Sequence, residues 1–340
     1  MLRAQLLELD GPFRFLRSPG AWLYLVLALG AGLRIFYVGF TEGTIDVAVW
    51  EAHARCVYQE GLLACYRGGE HTFNHPPPMG LLGAGLYGLS SGSGIPFAIL
   101  FRLPFALLDG LTAVLLLAAL SRAQSPRIRN ARFVLVALYW VNPLAAVLSS
   151  YHGNTDISVA FFLLAALLCG IHGRATASGV LLGLSLWIKL PGILGAPILF
   201  LALPTWSQRF QFTAAFGITF GLGYGPWLAQ DPELLIRSVL LYQGLMIQTT
   251  SGNPIWGLQV FYPLALGLGP PLESFITNLR NFYYQWNTLI CLIPILAYAG
   301  LRENRGTSES IMKGLAGSYV ILYGLSNMWA FQYLAWSLPF

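Results

Sequence analysis

Residues 95–120 read IPFAILFRLPFALLDGLTAVLLLAAL, a run in which Arg102 and Asp109 are the only charges. A helix needs about 20 consecutive, mostly apolar residues to cross the hydrocarbon core of a bilayer, and this run exceeds that length. It lacks the polar–apolar alternation of a barrel strand. In lipid the backbone must satisfy its own hydrogen bonds, so the run has to be helical. Working outward, comparable stretches occupy roughly residues 20–40, 133–150, 155–172, 177–190, 191–204, 212–229, 285–302 and 314–330. The composition agrees: 56% of the 340 residues are hydrophobic and 10% are charged, against about 25% charged in a soluble domain. The reading is an all-α, polytopic transmembrane bundle of about 9 to 11 spans or re-entrant segments, forming a single domain over residues 1–340.

Two further apolar stretches, 79–90 and 257–270, are too short to cross and are expected as interfacial or re-entrant pieces on the outer side. The Lys189-Leu190-Pro191 break between 177–190 and 191–204 predicts two half-length helices meeting at one surface. With the N-terminus cytoplasmic, the inner segments hold Arg3, Arg14, Arg17, Arg122, Arg127, Arg129, Arg132, Arg174, Arg209, Arg302, Arg305 and Lys313. The outer segments hold Arg55, Arg67, Arg237 and Arg280, and Arg34, Arg102 and Lys189 lie in or at the edge of spans. The positive-inside rule then makes 41–94 and 230–284 extracytoplasmic and 121–132 cytoplasmic. The basic excess is a topology signal, and no nucleic-acid partner is needed to explain it. The first apolar run lacks a small-residue cleavage site and is expected to stay as a signal anchor in a plasma membrane or an endoplasmic reticulum membrane. Cys56 and Cys65 share the first outer loop, where a disulfide can form, whereas Cys169 and Cys291 fall in spans as packing residues.

Polar residues are scarce, and they concentrate on the outer face. The loop from Thr41 to Pro78 holds Glu42, Asp46, Glu51, His53, Arg55, Glu60, Arg67, Glu70, His71, Asn74 and His75. The turn Tyr151-His152-Gly153-Asn154-Thr155-Asp156 adds a second group, and Lys189 a third. Three distant segments converging on one membrane face are how a site is assembled there. Asp46 precedes a helical stripe of Val47, Trp50, Ala54 and Val57, which suggests an interfacial amphipathic helix. Its carboxylate can serve as a helix cap or as a general base. His75, with Asn74, opens the His75-Pro76-Pro77-Pro78 run, which reads either as a stiff extended turn ahead of Met79 or as a ligand contact. His152, Asn154 and Asp156 stand at a helix start, where either of the last two can cap. Asp46, His152 and Asp156 together could instead hold a hard divalent cation such as Mg or Mn. Lys189 either snorkels to the surface or anchors a phosphate. Arg34, Arg102 and Asp109 lie at membrane depth, where charges pair with one another or face a cavity.

Taken in order, Thr44-Ile45-Asp46, His75-Pro76-Pro77-Pro78, Arg102-Leu103-Pro104 with Asp109, Asn142-Pro143, Gly153-Asn154-Thr155-Asp156, Gly179 to Lys189-Leu190-Pro191 and Gln332-Tyr333-Leu334-Ala335-Trp336 resemble the GT-C superfamily. These are polyprenyl-phosphate-sugar-dependent glycosyltransferases, and the nearest look is to the mannosyltransferases. The resemblance implies transfer of a hexose, mannose first, from a polyprenyl-phosphate donor to an acceptor hydroxyl on a glycan, glycolipid or polyprenyl conjugate. It implies Asp46 as the catalytic base, with Lys189, Arg102 and Arg34 holding the departing phosphate. Trp50, Tyr66, Trp256 and Tyr262 are outer aromatics that could either stack on a sugar face or belong to an interfacial aromatic belt.

The pattern departs from that family at two places. Thr44 stands where an earlier acid is common, which favours a single base over a two-acid metal scheme. The sequence given also stops at Phe340, after a motif that further spans commonly follow, so the resemblance implies a shortened member or a truncated product. Both departures suit a noncatalytic membrane assembly partner. A transporter or flippase is the other rival, although no internal repeat is evident and the polar groups sit at one surface rather than at the midplane.

Overall fold

The computed structural model describes residues 19–68, 73–242, 269–302, 306–326 and 331–340. Among them every regular element is helical. In chain order these are α1 (Pro19–Phe40), α2 (Ile45–Glu60), α3 (Leu62–Arg67), α4 (Pro77–Ser93), α5 (Phe97–Ser121), α6 (Pro126–Trp140) and α7 (Pro143–Ala146), which runs into a π turn at Val147–Tyr151. Next come α8 (Asp156–Ile171), α9 (Ala175–Ile188), a 3-10 turn at Leu190–Gly195, α10 (Ala196–Ala202) and α11 (Trp206–Leu228). The chain closes with α12 (Pro232–Leu235), α13 (Pro270–Leu301), α14 (Ser308–Leu325) and a 3-10 segment at Phe331–Trp336. The architecture is a polytopic membrane bundle. Among the described residues α5 alone is long and apolar enough to cross a bilayer as one helix, and three bent pairs reach that requirement together: 24–40 with α2, α6 with 143–151, and the two halves of α13.

The sequence explains which helix is central. In α8, DISVAFFLLAALLCGI is apolar on every side, and such a helix belongs in a core rather than at a surface. Ile157, Val159, Leu163, Leu164 and Leu167 are fully buried there, with α5 and α9 packed alongside. The pairing of α9 with α11 follows from small residues. A side chain at Gly179 would collide with the Phe212 carbonyl and one at Gly183 with Thr219, so the two backbones approach as closely as glycine permits. Trp187 completes this contact by donating its indole N–H to the Thr219 carbonyl at 2.8 Å.

Two local expectations change. The stretch expected over 79–90 is a 17-residue helix, because Pro77 and Pro78 occupy its first turn, where a missing N–H costs nothing. The stripe on α2 faces protein rather than lipid: Val47, Trp50, His53, Ala54 and Val57 are buried, and α4 packs across α2. Cys56 and Cys65 form a disulfide that ties α2 to α3. Farther along, Arg67 reaches Asp231 at 2.7 Å, and this contact holds the Asp231 carboxyl below the usual carboxylate range. The expected stretch 257–270 lies almost wholly outside the described residues.

Candidate functional site

The polar site is built on two turns and one late segment. Gly43 (φ 85°) turns the chain into α2, whose N-cap is Thr44 and whose first turn carries Asp46. Thr44 makes no side-chain cap bond; its hydroxyl instead meets His152 Nδ1 at 2.7 Å. Asp46 is not a cap either, and its Oδ2 lies 3.1 Å from His152 Nε2. The same ring nitrogen faces Gln332 Oε1 at 3.1 Å, so His152 joins α2 to the closing 3-10 segment. Burial works against charging His152, but the bonds to Asp46 and Gln332, with the negative fields of Asp46 and Asp156, outweigh it and raise its pKa.

His152 holds this position because of Gly153, which takes φ 64° next to Arg102. A Cβ there would sit 2.8 Å from Arg102 Cγ and 3.1 Å from Val47 Cγ2. Asn154 is buried and its Oδ1 accepts the backbone N–H of Asp156 at 3.0 Å, which fixes the start of α8. Asp156 is fully buried and meets Lys189, whose Nζ lies 2.7 Å from its carboxylate. The Trp336 indole N–H donates to Asp156 Oδ1, which Lys189 also approaches, and the Lys189 ammonium sits 5.6 Å from the Tyr333 ring centre. One short segment, Phe331–Trp336, thus touches His152 through Gln332 and Asp156 through Trp336.

His75 lies to one side of these pairs. Its ring stacks on Trp50 with centroids 4.1 Å apart, and its carbonyl accepts the Tyr66 hydroxyl at 2.6 Å. Burial, then the charge of Lys189, then His53 hold its pKa well below the ordinary value, so His75 is neutral. Trp50 and Tyr66, expected as sugar platforms, are core residues beside Phe73 and Phe101. Trp256 and Tyr262 lie outside the described residues, as do Glu70 and His71.

The arginines expected at a phosphate are spent on the protein itself. Arg102 is fully buried and gives its guanidinium to the carbonyls of Tyr37 (2.9 Å), Val38 (3.2 Å), Thr41, Ala98 (2.8 Å) and Ser150 (3.3 Å) and to the Thr41 hydroxyl (2.9 Å). It therefore terminates α1 by satisfying carbonyls that a helix end leaves without partners. Arg34 binds Asp109 Oδ2 at 2.6 and 2.8 Å and the carbonyls of Gly30 and Trp140 at 2.9 Å each. Asp109 also accepts from Tyr139 at 2.6 Å and from Ser149 at 2.9 Å. Pairing at membrane depth thus joins Arg34 to Asp109 and leaves Arg102 to the backbone. Among the described residues no three His, Cys, Asp or Glu side chains converge as metal ligands; in the Asp46, His152 and Asp156 set, Asp156 is taken by Lys189.

Sequence reasoning did not assign Gln332, Trp336, Tyr139 or Ser149. The first two sit in a stretch already quoted for its pattern, but no spacing rule connects a residue to a partner 180 positions away.

A family model described as the GPI transamidase subunit PIG-U matches residues 51–224, just over half of the chain. No curated protein matches the chain. The family match corrects the expectation of a glycosyltransferase. Hexose transfer from a polyprenyl-phosphate donor does not stand, nor does the enzyme class. Lys189, Arg102 and Arg34, expected at a donor phosphate, each have partners inside the protein. Asp46 itself lies outside the matched residues. This chain belongs to the PIG-U family of GPI transamidase subunits.

Proposed function

We propose that this protein is a noncatalytic, multi-pass subunit of a GPI transamidase-type assembly, in which it supplies a rigid helical frame rather than reacting groups. The observation that carries this reading is the internal use of its membrane-depth charges. A site that binds a charged substrate keeps a cation or anion in reserve, whereas Arg34, Arg102, Asp109, Asp156 and Lys189 are each paired with other groups of the protein. Such fully partnered networks fix one arrangement of helices. By the family's description, that arrangement would present surfaces to other subunits of a complex that attaches GPI to proteins at a C-terminal small-residue site. In this reading the chain sits in the endoplasmic reticulum membrane, and the distribution of Arg and Lys supports a cytoplasmic N-terminus.

Affinity purification of the tagged full chain in mild detergent tests the proposal. Stoichiometric recovery of the other transamidase subunits is expected. A chain that purifies alone, at the size of a monomer, from cells that contain the complex would contradict it.

A further inference from the structure

α13 is bent by 63° between residues 271–283 and 285–301. The second half is apolar, and Trp286, Leu289, Ile293 and Leu296 are exposed along it, as lipid-facing residues should be. The first half has a different chemistry. Leu272, Phe275, Leu279 and Phe282 recur at spacings of 3, 4 and 3, so at about 100° per residue they share one side. All four are at least 40% exposed. Glu273, Ser274 and Asn281 occupy the opposite arc, Asn278 stands at its edge, and all four are exposed too. Both arcs of this arm are thus exposed.

The level of the bend is fixed by α14. The Tyr283 hydroxyl and the Asn287 amide both donate to the carbonyl of Leu325, the last residue of α14, the latter at 2.9 Å. The 3-10 segment Phe331–Trp336, which follows α14 in the chain, meets His152 through Gln332 and Asp156 through Trp336. The bend therefore sits where the bundle ends at its polar face. Phe282 and Trp286, both exposed and with ring centres 6.2 Å apart, flank it, and an aromatic pair is what the level of the lipid headgroups favours.

We infer that residues 271–283 form an interfacial helix that lies along the membrane surface, with Leu272, Phe275, Leu279 and Phe282 inserted at the boundary of headgroups and acyl chains. Its length, about 20 Å at 1.5 Å per residue, and its division into an apolar and a polar arc suit that position. As part of a span it would expose Glu273 and two asparagines to hydrocarbon. The apolar arc is continuous with the lipid-facing side of the second half, so the bilayer, rather than a protein partner, is the surface that covers both.

The test uses the full chain in phosphatidylcholine vesicles, with the Cys56–Cys65 disulfide kept and Cys169 and Cys291 replaced. An environment-sensitive NBD label is placed on single cysteines at Phe275, Leu279 and Phe282, and in parallel at Ser274, Asn278 and Asn281. At 275, 279 and 282 emission should shift to shorter wavelength, iodide quenching should be lost, and lipid carrying a shallow nitroxide should quench. At 274, 278 and 281 iodide should quench without the spectral shift. Quenching of all six positions by a nitroxide at the acyl-chain terminus would overturn the inference in favour of a span. Protection of 275, 279 and 282 from both quenchers would overturn it in favour of a protein partner, and their quenching by iodide would place them in water.

Discussion

Replacing Lys189 with Met separates a structural lysine from one that waits for a ligand. Asp156 is fully buried and its charge is balanced by the Lys189 ammonium at 2.7 Å, with Trp336 donating to the same carboxylate. Removing one partner of a buried ion pair costs about 3–5 kcal/mol, because the other charge is left without compensation. At about 2 °C per kcal/mol, the lower figure for larger chains, the apparent unfolding midpoint should fall by about 6–10 °C. Adding Asp156→Asn removes the stranded charge while keeping an oxygen acceptor for the Trp336 indole, so most of the loss should return and the two substitutions should be strongly non-additive. Thermal unfolding of a fluorescent fusion in detergent, followed by size-exclusion chromatography, reads all four corners of the cycle. A K189M midpoint within about 2 °C of the parent, or simple addition of the two single effects, would refute the argument, since a loss near 1 kcal/mol is what an exposed, loosely held pair gives.

Two other consequences follow from the same turn. The pKa of His152 is raised in the folded protein, so the stability it contributes is fully present below about pH 6.5, its ordinary value, and disappears as pH rises through the folded pKa. The midpoint of the parent should therefore fall relative to that of His152→Gln between about pH 6 and pH 8, and parallel profiles would sink the idea. Gly153→Ala should destabilise by at least about 1–2 kcal/mol, the cost of a left-handed residue with a Cβ, and by more because of the contact with Arg102 Cγ at 2.8 Å. A folded G153A protein with an unchanged midpoint would show that the turn tolerates a side chain.

What the sequence makes legible, and what it hides, follows from the range of the forces involved. Apolar length and the absence of alternation depend on neighbours in the chain, so the run at 95–120 and the all-round apolar 155–172 stretch announce a spanning helix and a central one. Prolines also act locally, yet Pro77 and Pro78 favour a helix start as readily as an extended turn, and the 17-residue α4 was correspondingly harder to see. The polar residues are conspicuous by their scarcity, but their partners are set by packing. Arg34 and Asp109 are 75 positions apart and Lys189 and Asp156 are 33 apart, and nothing in a spacing says whether a buried cation will meet a carboxylate, a row of carbonyls or a ligand. The reading of Lys189, Arg102 and Arg34 as phosphate ligands spans that gap, and the structure adds their protein partners to it. Thr44 is the counter-example. It was notable as a missing acid, and its hydroxyl turns out to hold the His152 ring.

The central claim, that this subunit supports GPI attachment without reacting groups of its own, is tested most directly at Asp46. This carboxylate is 39% exposed and contacts His152 at 3.1 Å, so Asp46→Asn should cost no more than about 1 kcal/mol of stability. In cells lacking the corresponding subunit, expression of D46N should restore GPI-anchored proteins at the cell surface to the same level as the parent, read by flow cytometry. If the parent restores them and D46N, inserted in equal amount, does not, the claim is contradicted.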